Sequence, residues 1–464
     1  MVAIGMASKV VAVPTSGSTF DVTISGIGTP KAFKTEWVNA TTDIVAAADA
    51  SICAGFCDGT SQRCGTMFSE DGNADSSTDT GRRYNSDAVA VVTLTTSEAE
   101  DGRLSFNSWV TDGVRLNIDS AVASGFLLRV TFFYGDDWTA EIFEYTGSGT
   151  VGGTVNISPS IPVDILIGAT TLDTTASGAN GRLGHCWAAR FPSITQGGYF
   201  TTDQDRPTGG TGTNVASRIH DDAFASRLTA LGGNQTDGAR HFITAWTNSA
   251  ITVRTDNAAQ AFTVFGLALG TKKRPAWVGV PALATLDTTS TGDRTLNDPG
   301  FRGKYALGIG TTLTSINSMS TTDSGGKFSV GFSDASDQGV VAFKVLDNVT
   351  TGDTSTLSDD AFFLEPITGA SDLPDYKATL TAFTSTGFTL NIPATFNSAG
   401  DRAALFLIIS ETQVLYPGGI ASTSAFGTPA IVRGAVTLSP GGVPSGSAFG
   451  TPAIVRGAVT LSPG

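Results

Sequence analysis

Three stretches of this chain follow one plan. Ser105–Asp119, Phe242–Asp256 and Thr379–Pro393 each carry an aromatic residue, a polar turn and an alternating strand. The aromatics are Trp109, Trp246 and Phe383, and successive ones lie 137 residues apart. Each stretch is followed by an apolar strand, such as Val130–Tyr134 and Leu405–Ile409. Upstream of each lies an Asp-Ala step: Asp87-Ala88, Asp222-Ala223 and Asp360-Ala361. Further upstream, Pro30, Pro162 and Pro275 each precede an apolar strand. Ordered recurrence of this kind implies one supersecondary unit used three times.

Local patterns make that unit β-structure. Val114, Leu116 and Ile118 alternate with Arg115, Asn117 and Asp119, the signature of a half-buried strand. Thr111–Gly113 and Ser385–Gly387 supply hairpin turns in which glycine accepts positive φ. The final strands are apolar on both faces, which suits strands covered on both sides. No convincing helix is expected. Ser217–Leu231 is the best candidate, and its match to the segment beginning at Asp87 argues for a strand. The expected fold is all-β: three tandem antiparallel, jelly-roll-like β-sandwiches and an extended repetitive C-terminal arm. The expected boundaries are an N-terminal arm over 1–18, sandwiches over 19–147, 148–272 and 273–416, and the arm over 417–464. The third sandwich is long between its landmarks, so 325–357 is expected to be an insertion and an exposed arm.

The arm is itself duplicated. Ser424–Gly441 recurs without change as Ser447–Gly464, a period of 23. From Gly418 onward there is no acid, only Arg433 and Arg456, whereas the whole chain carries −14. A weakly basic arm on an acidic body suits docking on a neighbouring copy by strand addition. The expected contacts are Phe426, Pro429, Ile431 and Arg433, with Phe449, Pro452, Ile454 and Arg456 in the second copy.

Charge and composition exclude other classes. The only Lys/Arg cluster is Lys272-Lys273-Arg274, so no nucleic-acid partner is expected. No apolar run is long enough for a membrane span. The N-terminus lacks a signal-peptide pattern, so folding in a host cytoplasm is expected.

Residues with catalytic chemistry have simpler explanations. His220 beside Asp221 and Asp222 resembles an oriented general base, but the equivalent Asp-Ala sites have no histidine. His185-Cys186 has no assignable third partner. Adjacent carboxylates such as Asp136-Asp137 and Asp359-Asp360 point to opposite faces of a strand and do not form a hydrolytic pair. Asp71–Asp75 begins like a calcium loop, but Ser76 and Arg82 occupy its glycine and glutamate positions. Cys53, Cys57, Cys64 and Cys186 are too few for a disulfide framework and lack zinc spacing. No enzyme activity, cofactor or metal is expected. Trp138, after Gly135-Asp136-Asp137, is the tryptophan expected at the surface, where it would contact a glycan.

The body resembles a group of phage and prophage virion proteins. The matching elements are Gly26–Ala32 (GIGTPKA), Asp87-Ala88 and Thr111–Asp119; Thr29 departs from the Phe of that pattern. The arm is similar to the FGTP repeats near the ends of phage appendage and neck proteins, at Ser424–Pro429 and Ser447–Pro452. The resemblance implies a virion structural protein, a tail, neck or head appendage, with other virion proteins as partners. A homo-oligomer, such as a trimer, is expected. The alternative is a receptor-binding adhesin that recognises a host surface glycan.

Overall fold

A computed structural model describes residues 4–412 apart from 71–79, 94–99, 173–176, 204–214, 230–235, 258–260, 273, 280–290, 318, 321–325, 347–352, 369–371 and 396–401; beyond 412 it describes Val414–Leu415 and Thr437–Leu438. Every regular element among the described residues is a strand, and no helix is long and apolar enough to cross a membrane. The chain is all-β, and the sheets that form its sandwiches are antiparallel.

Among the described residues the strands form three seven-stranded sheets, each faced by a smaller one. In the first large sheet the order is Gly5–Ala12, Leu127–Tyr134, Pro30–Val38, Ala50–Cys57, Gln62–Ser69, Thr80–Asn85 and Ser177–Ala179. Its smaller partner runs Thr19–Thr23, Gly113–Ser120, Gly102–Val110, Ala90–Val92. The second large sheet repeats the order from Thr139–Thr146 to Val215–His220, and the third from Ala276–Gly279 to Asp353–Asp359.

The two-faced apolar strands now have a physical explanation. On one face each large sheet packs against its small partner. Phe33, Trp37, Leu128 and Val130 meet Leu104, Val114 and Leu116 in the first sandwich. On the other face all three large sheets contribute to one shared core. Ile165, Ile167 and Ala169 enter the shared core, while Leu166 between them enters the core of its own sandwich. Leu405, Leu407 and Ile409 alternate with Phe406 and Ile408 in the same way. The small sheets instead alternate apolar and polar residues, because their outer faces meet water.

The three large sheets close into a ring. The seventh strand of each comes from the sequence that builds the next sandwich. Ser177–Ala179 pairs with the first sheet at Arg83 to Gly81. Met319–Ser320 pairs with the second sheet at Arg218 and Ser217. Ala47–Ala48 pairs with the third sheet at Thr356 and Ser355, completing the cycle. The opposite edges are also covered. Asp58 Oδ2 accepts from Ile142 N at 2.8 Å, and Thr195 Oγ1 accepts from Val278 N at 3.0 Å. On the first sheet Gly5 O accepts from Trp138 Nε1 at 2.9 Å. Covered edges offer no template for uncontrolled strand pairing.

The sheets approach closely at the seams. A Cβ on Gly65 would sit 2.7 Å from Thr171 and 2.8 Å from Phe265, so any larger residue would push those side chains aside. Within each sandwich a glutamine ties the large sheet to the small one. Gln62 Nε2 donates to Asp87 O at 2.6 Å, and its Oε1 accepts from Phe106 N at 2.8 Å. Gln196 bridges Asp222 O and Ile243 N, and Gln338 bridges Ala361 O and Leu380 N, at 2.8–3.1 Å.

Several expectations need correction. Gly5–Ala12, expected within the N-terminal arm over 1–18, is the edge strand of the first large sheet. Thr139–Thr146, expected in the first sandwich, pairs with Thr263–Gly270 in the second. The expected insertion is not an exposed arm: Gly326–Ser333 and Gln338–Leu346 lie inside the third large sheet. Pro275 misled the spacing, because it precedes an opening edge strand, whereas Pro30 heads a central one. Measured from the equivalent central strands, Pro30 to Trp109, Ile165 to Trp246 and Tyr305 to Phe383 all span about 80 residues. The helix candidate forms the strands Val215–His220 and Ala225–Thr229.

Candidate functional site

The C-terminal arm leaves the ring from a distinctive place. In the first two sandwiches the closing strands, Leu127–Tyr134 and Thr263–Gly270, lead into the opening strand of the next sheet. After the third closing strand, Ala404–Ile409, the equivalent seat is already filled by Gly5–Ala12. Val414–Leu415 then pairs in parallel with Thr437–Leu438, which belongs to the first copy of the repeat. The eight expected arm contacts, Phe426, Pro429, Ile431, Arg433, Phe449, Pro452, Ile454 and Arg456, lie outside the described residues.

Trp138 does not present its ring to a ligand. It is 1% exposed, packs edge-on against Phe133 at 5.4 Å and donates to Gly5 O. The Gly-Asp-Asp before it marks the link between two sheets, and the edge of the first sheet covers the indole. Trp37 and Trp187 are also buried, and Trp246 donates to Val163 O at 3.0 Å.

All three histidines are interior. His220 contacts Ser226 Oγ through Nε2 at 2.9 Å, and burial pushes its pKa down to about 3. Asp221 accepts from Asn317 Nδ2 at 2.8 Å, and Asp222 faces Arg240 at 3.4 Å, so neither carboxylate is shown orienting the imidazole. Burial, with Lys34 nearby, likewise lowers His185 to about 3, and burial raises the neighbouring Cys186 thiol. His241 stacks on Phe262 at 3.8 Å, contacts Tyr145 Oη at 3.0 Å and is lowered by burial to about 3. Neutral, enclosed imidazoles of this kind fit packing better than proton transfer to a substrate.

The carboxylates are mostly engaged within the chain. Asp137 is held between Lys272 and Arg274; burial acts upward on its carboxyl, but the two cations outweigh it and hold it low. Asp359 accepts from Ala361 N at 2.7 Å and shares Lys377 with Glu365. Burial pushes Glu365 up to about 8 despite the Lys377 ion pair at 2.7 Å. The four cysteines are buried free thiols. Among the described residues no group of three or more His, Cys, Asp or Glu side chains is arranged to hold a metal ion. The calcium-like segment Asp71–Asp75 lies outside the described residues.

Sequence reasoning did not single out the ring-closing strands or the three glutamine ties. The former are two or three residues long and carry no pattern. The glutamines sit near equivalent turns, which a comparison of the three stretches by turn would have aligned.

No family model, curated protein or solved structure matches the chain.

Proposed function

We propose that this chain is a structural component of a bacteriophage virion, a tail, neck or head appendage that joins its neighbours through the duplicated arm. The observation that carries this reading is the contrast between body and arm. The body spends both edges of its three large sheets on itself, whereas the arm follows a closing strand whose next seat is filled. The pairing of Thr437–Leu438 with Val414–Leu415 supports strand addition as its mode of contact. The virion assignment draws its support from the resemblance of Gly26–Ala32, Thr111–Asp119 and the FGTP repeats to virion proteins. Other virion proteins and further copies of the chain are the partners on this reading.

Removal of Gly418–Gly464 tests it. The full chain should be oligomeric by light scattering and should enter particles. The shortened chain should be monomeric, melt at an unchanged temperature and be absent from particles. An unchanged oligomer and unchanged incorporation would defeat the reading. The adhesin alternative gains support from an open cleft on the first sandwich, lined by Gly26–Thr29, Lys31 and Tyr134–Asp136.

A further inference from the structure

The repeated architecture provides its own control for locating a ligand site, because one surface corner occurs three times. That corner lies where the loop before the third strand of a sandwich meets the end of its closing strand.

In the second sandwich the corner is internally satisfied. Glu141 accepts from Ser160 N at 2.9 Å and from Ser160 Oγ. Asp164 Oδ2 accepts from Thr271 N at 2.9 Å and from Thr271 Oγ1 at 3.0 Å. In the third, Lys304 pairs with Glu411 at 3.1 Å, and Thr386 Oγ1 donates to Asn297 Oδ1 at 2.9 Å. In the first sandwich the corner instead opens into a cleft of about 290 Å³, lined by Gly26–Thr29, Lys31 and Tyr134–Asp136. Lys31, Tyr134 and Asp136 form no side-chain hydrogen bond or ion pair among the described residues.

The cleft is held in shape without using those three groups. Asp112 Oδ1 accepts from Gly28 N at 2.7 Å, and the Gly26 amide also bonds this carboxylate. Gly26 and Gly28 have φ of 86° and 68°, and a Cβ on either would meet nothing within 4 Å. The loop therefore presents bare backbone next to open space. The Tyr134 ring is fixed by Gly5, where a Cβ would approach it to 2.3 Å. Rigid surroundings and unspent polar groups are features of a prepared binding site.

We infer that this cleft binds a single neutral sugar ring. Its volume falls at the lower limit of ligand sites, about 300 Å³, so it suits one ring better than a peptide or an oligosaccharide. The lining carries one ammonium, Lys31, and one carboxylate, Asp136, so it has no net charge to select an anion. Together they match neighbouring hydroxyls, each of which donates to Asp136 and accepts from Lys31. Tyr134 adds a phenol hydroxyl and an aromatic edge. This inference is independent of the assembly reading: its failure leaves the arm's role untouched, and the failure of arm-mediated assembly leaves the cleft intact.

Saturation-transfer NMR on the full chain is the test. The probes are neutral hexoses, 6-deoxyhexoses and N-acetylhexosamines, with glycine and acetate as controls. At least one neutral sugar should bind, with Kd on the order of 1 mM. Lys31→Ala and Asp136→Ala should each weaken it at least about tenfold, and Tyr134→Phe should weaken it less. Ser160→Ala, in the satisfied corner, should change nothing. All four variants should melt like the parent, since these are surface changes. The inference fails if no neutral sugar binds, if binding survives both Lys31→Ala and Asp136→Ala, or if glycine or acetate binds as well as the sugar.

Discussion

In the second large sheet, two neighbouring rows facing the shared core hold Ile167 with Leu267 and Ala169 with Phe265. The third sheet has Leu307 with Leu407 and Ile309 with Leu405 in the same rows. In the first sheet these rows are Lys34 with Thr131 and Glu36 with Arg129, all buried. Lys34 pairs with Glu36, and burial lowers the Lys34 ammonium although the carboxylate opposes it. Arg129 Nη1 crosses the seam to Val330 O at 3.0 Å, and its Nε donates to Ser8 Oγ at 3.0 Å. These two rows therefore do not need charge to take part in the ring, since two of the three sheets fill them with apolar side chains. The ion cluster in the first sheet contributes something other than closure. A directional contact that only the first sheet makes from these rows marks which neighbour belongs at that seam. Buried ionic groups are best supported in such roles of register.

The following experiments sharpen this comparison, in order of expected effect. Glu36→Ala leaves Lys34 and Arg129 buried without their carboxylate and should lower unfolding free energy by about 3–5 kcal/mol in urea titrations. Phe265→Ala, at the row where the second sheet is apolar, should cost a similar ~3–5 kcal/mol through cavity formation alone. Near-equal losses would arise from different causes, and a transplant separates them. The triple change Lys34→Ile, Glu36→Ala and Arg129→Phe replaces the first sheet's charges with the second sheet's residues and keeps Thr131. It should be neutral or stabilising by about 1–4 kcal/mol. A large loss would mean that the charges hold the ring together.

Dependence on pH follows. Burial holds His185, His220 and His241 at about 3, against 6.5 for a free histidine. Below pH 6.5 the unfolded chain gains protons that the folded chain refuses. Stability present above pH 6.5 is therefore lost as pH falls toward 3, by up to about 4 kcal/mol per pH unit when all three sites act. Glu365 works in the opposite direction. Its carboxyl is raised to about 8, so its contribution is complete below the unfolded value of 4.5 and is lost as pH rises through 8. Glu365→Gln should flatten the alkaline side of a stability–pH curve and leave the acid side unchanged. The smallest expected effect is at a sheet tie. Gln196→Ala leaves Ile243 N–H without its partner and should cost about 1–3 kcal/mol, measurable as a shift in the urea midpoint.

The sequence makes much of the β-structure legible, and the reason is geometric. Trp109, Trp246 and Phe383 all fall near the ends of equivalent small-sheet strands, Gly102–Val110, Thr236–Trp246 and Tyr376–Phe383. Alternation of Val114 and Leu116 with Arg115 reports one wet face, and unbroken runs such as Leu405–Ile409 report two dry ones. The two-faced signal does not say what covers the second face. A third layer and a neighbouring sheet give the same pattern, so the shared core stayed hidden. Ala47–Ala48 closes the ring through backbone pairing, to which side-chain identity contributes little. Trp138 was misjudged because its neighbours in sequence are polar, while the groups that bury it come from the first sheet. The cleft was equally hidden: Lys31 and Asp136 are ordinary surface residues until two strands bring them to one corner.

The central claim is a closed ring of three large sheets, and its weakest visible link is the pairing of Ala48 with Ser355. Directly opposed residues of antiparallel strands lie within disulfide reach. The double variant Ala48→Cys with Ser355→Cys should oxidise readily within one chain, giving a monomeric product of altered gel mobility that dithiothreitol reverses. Failure to form the bond, or its formation only between chains, would contradict the ring.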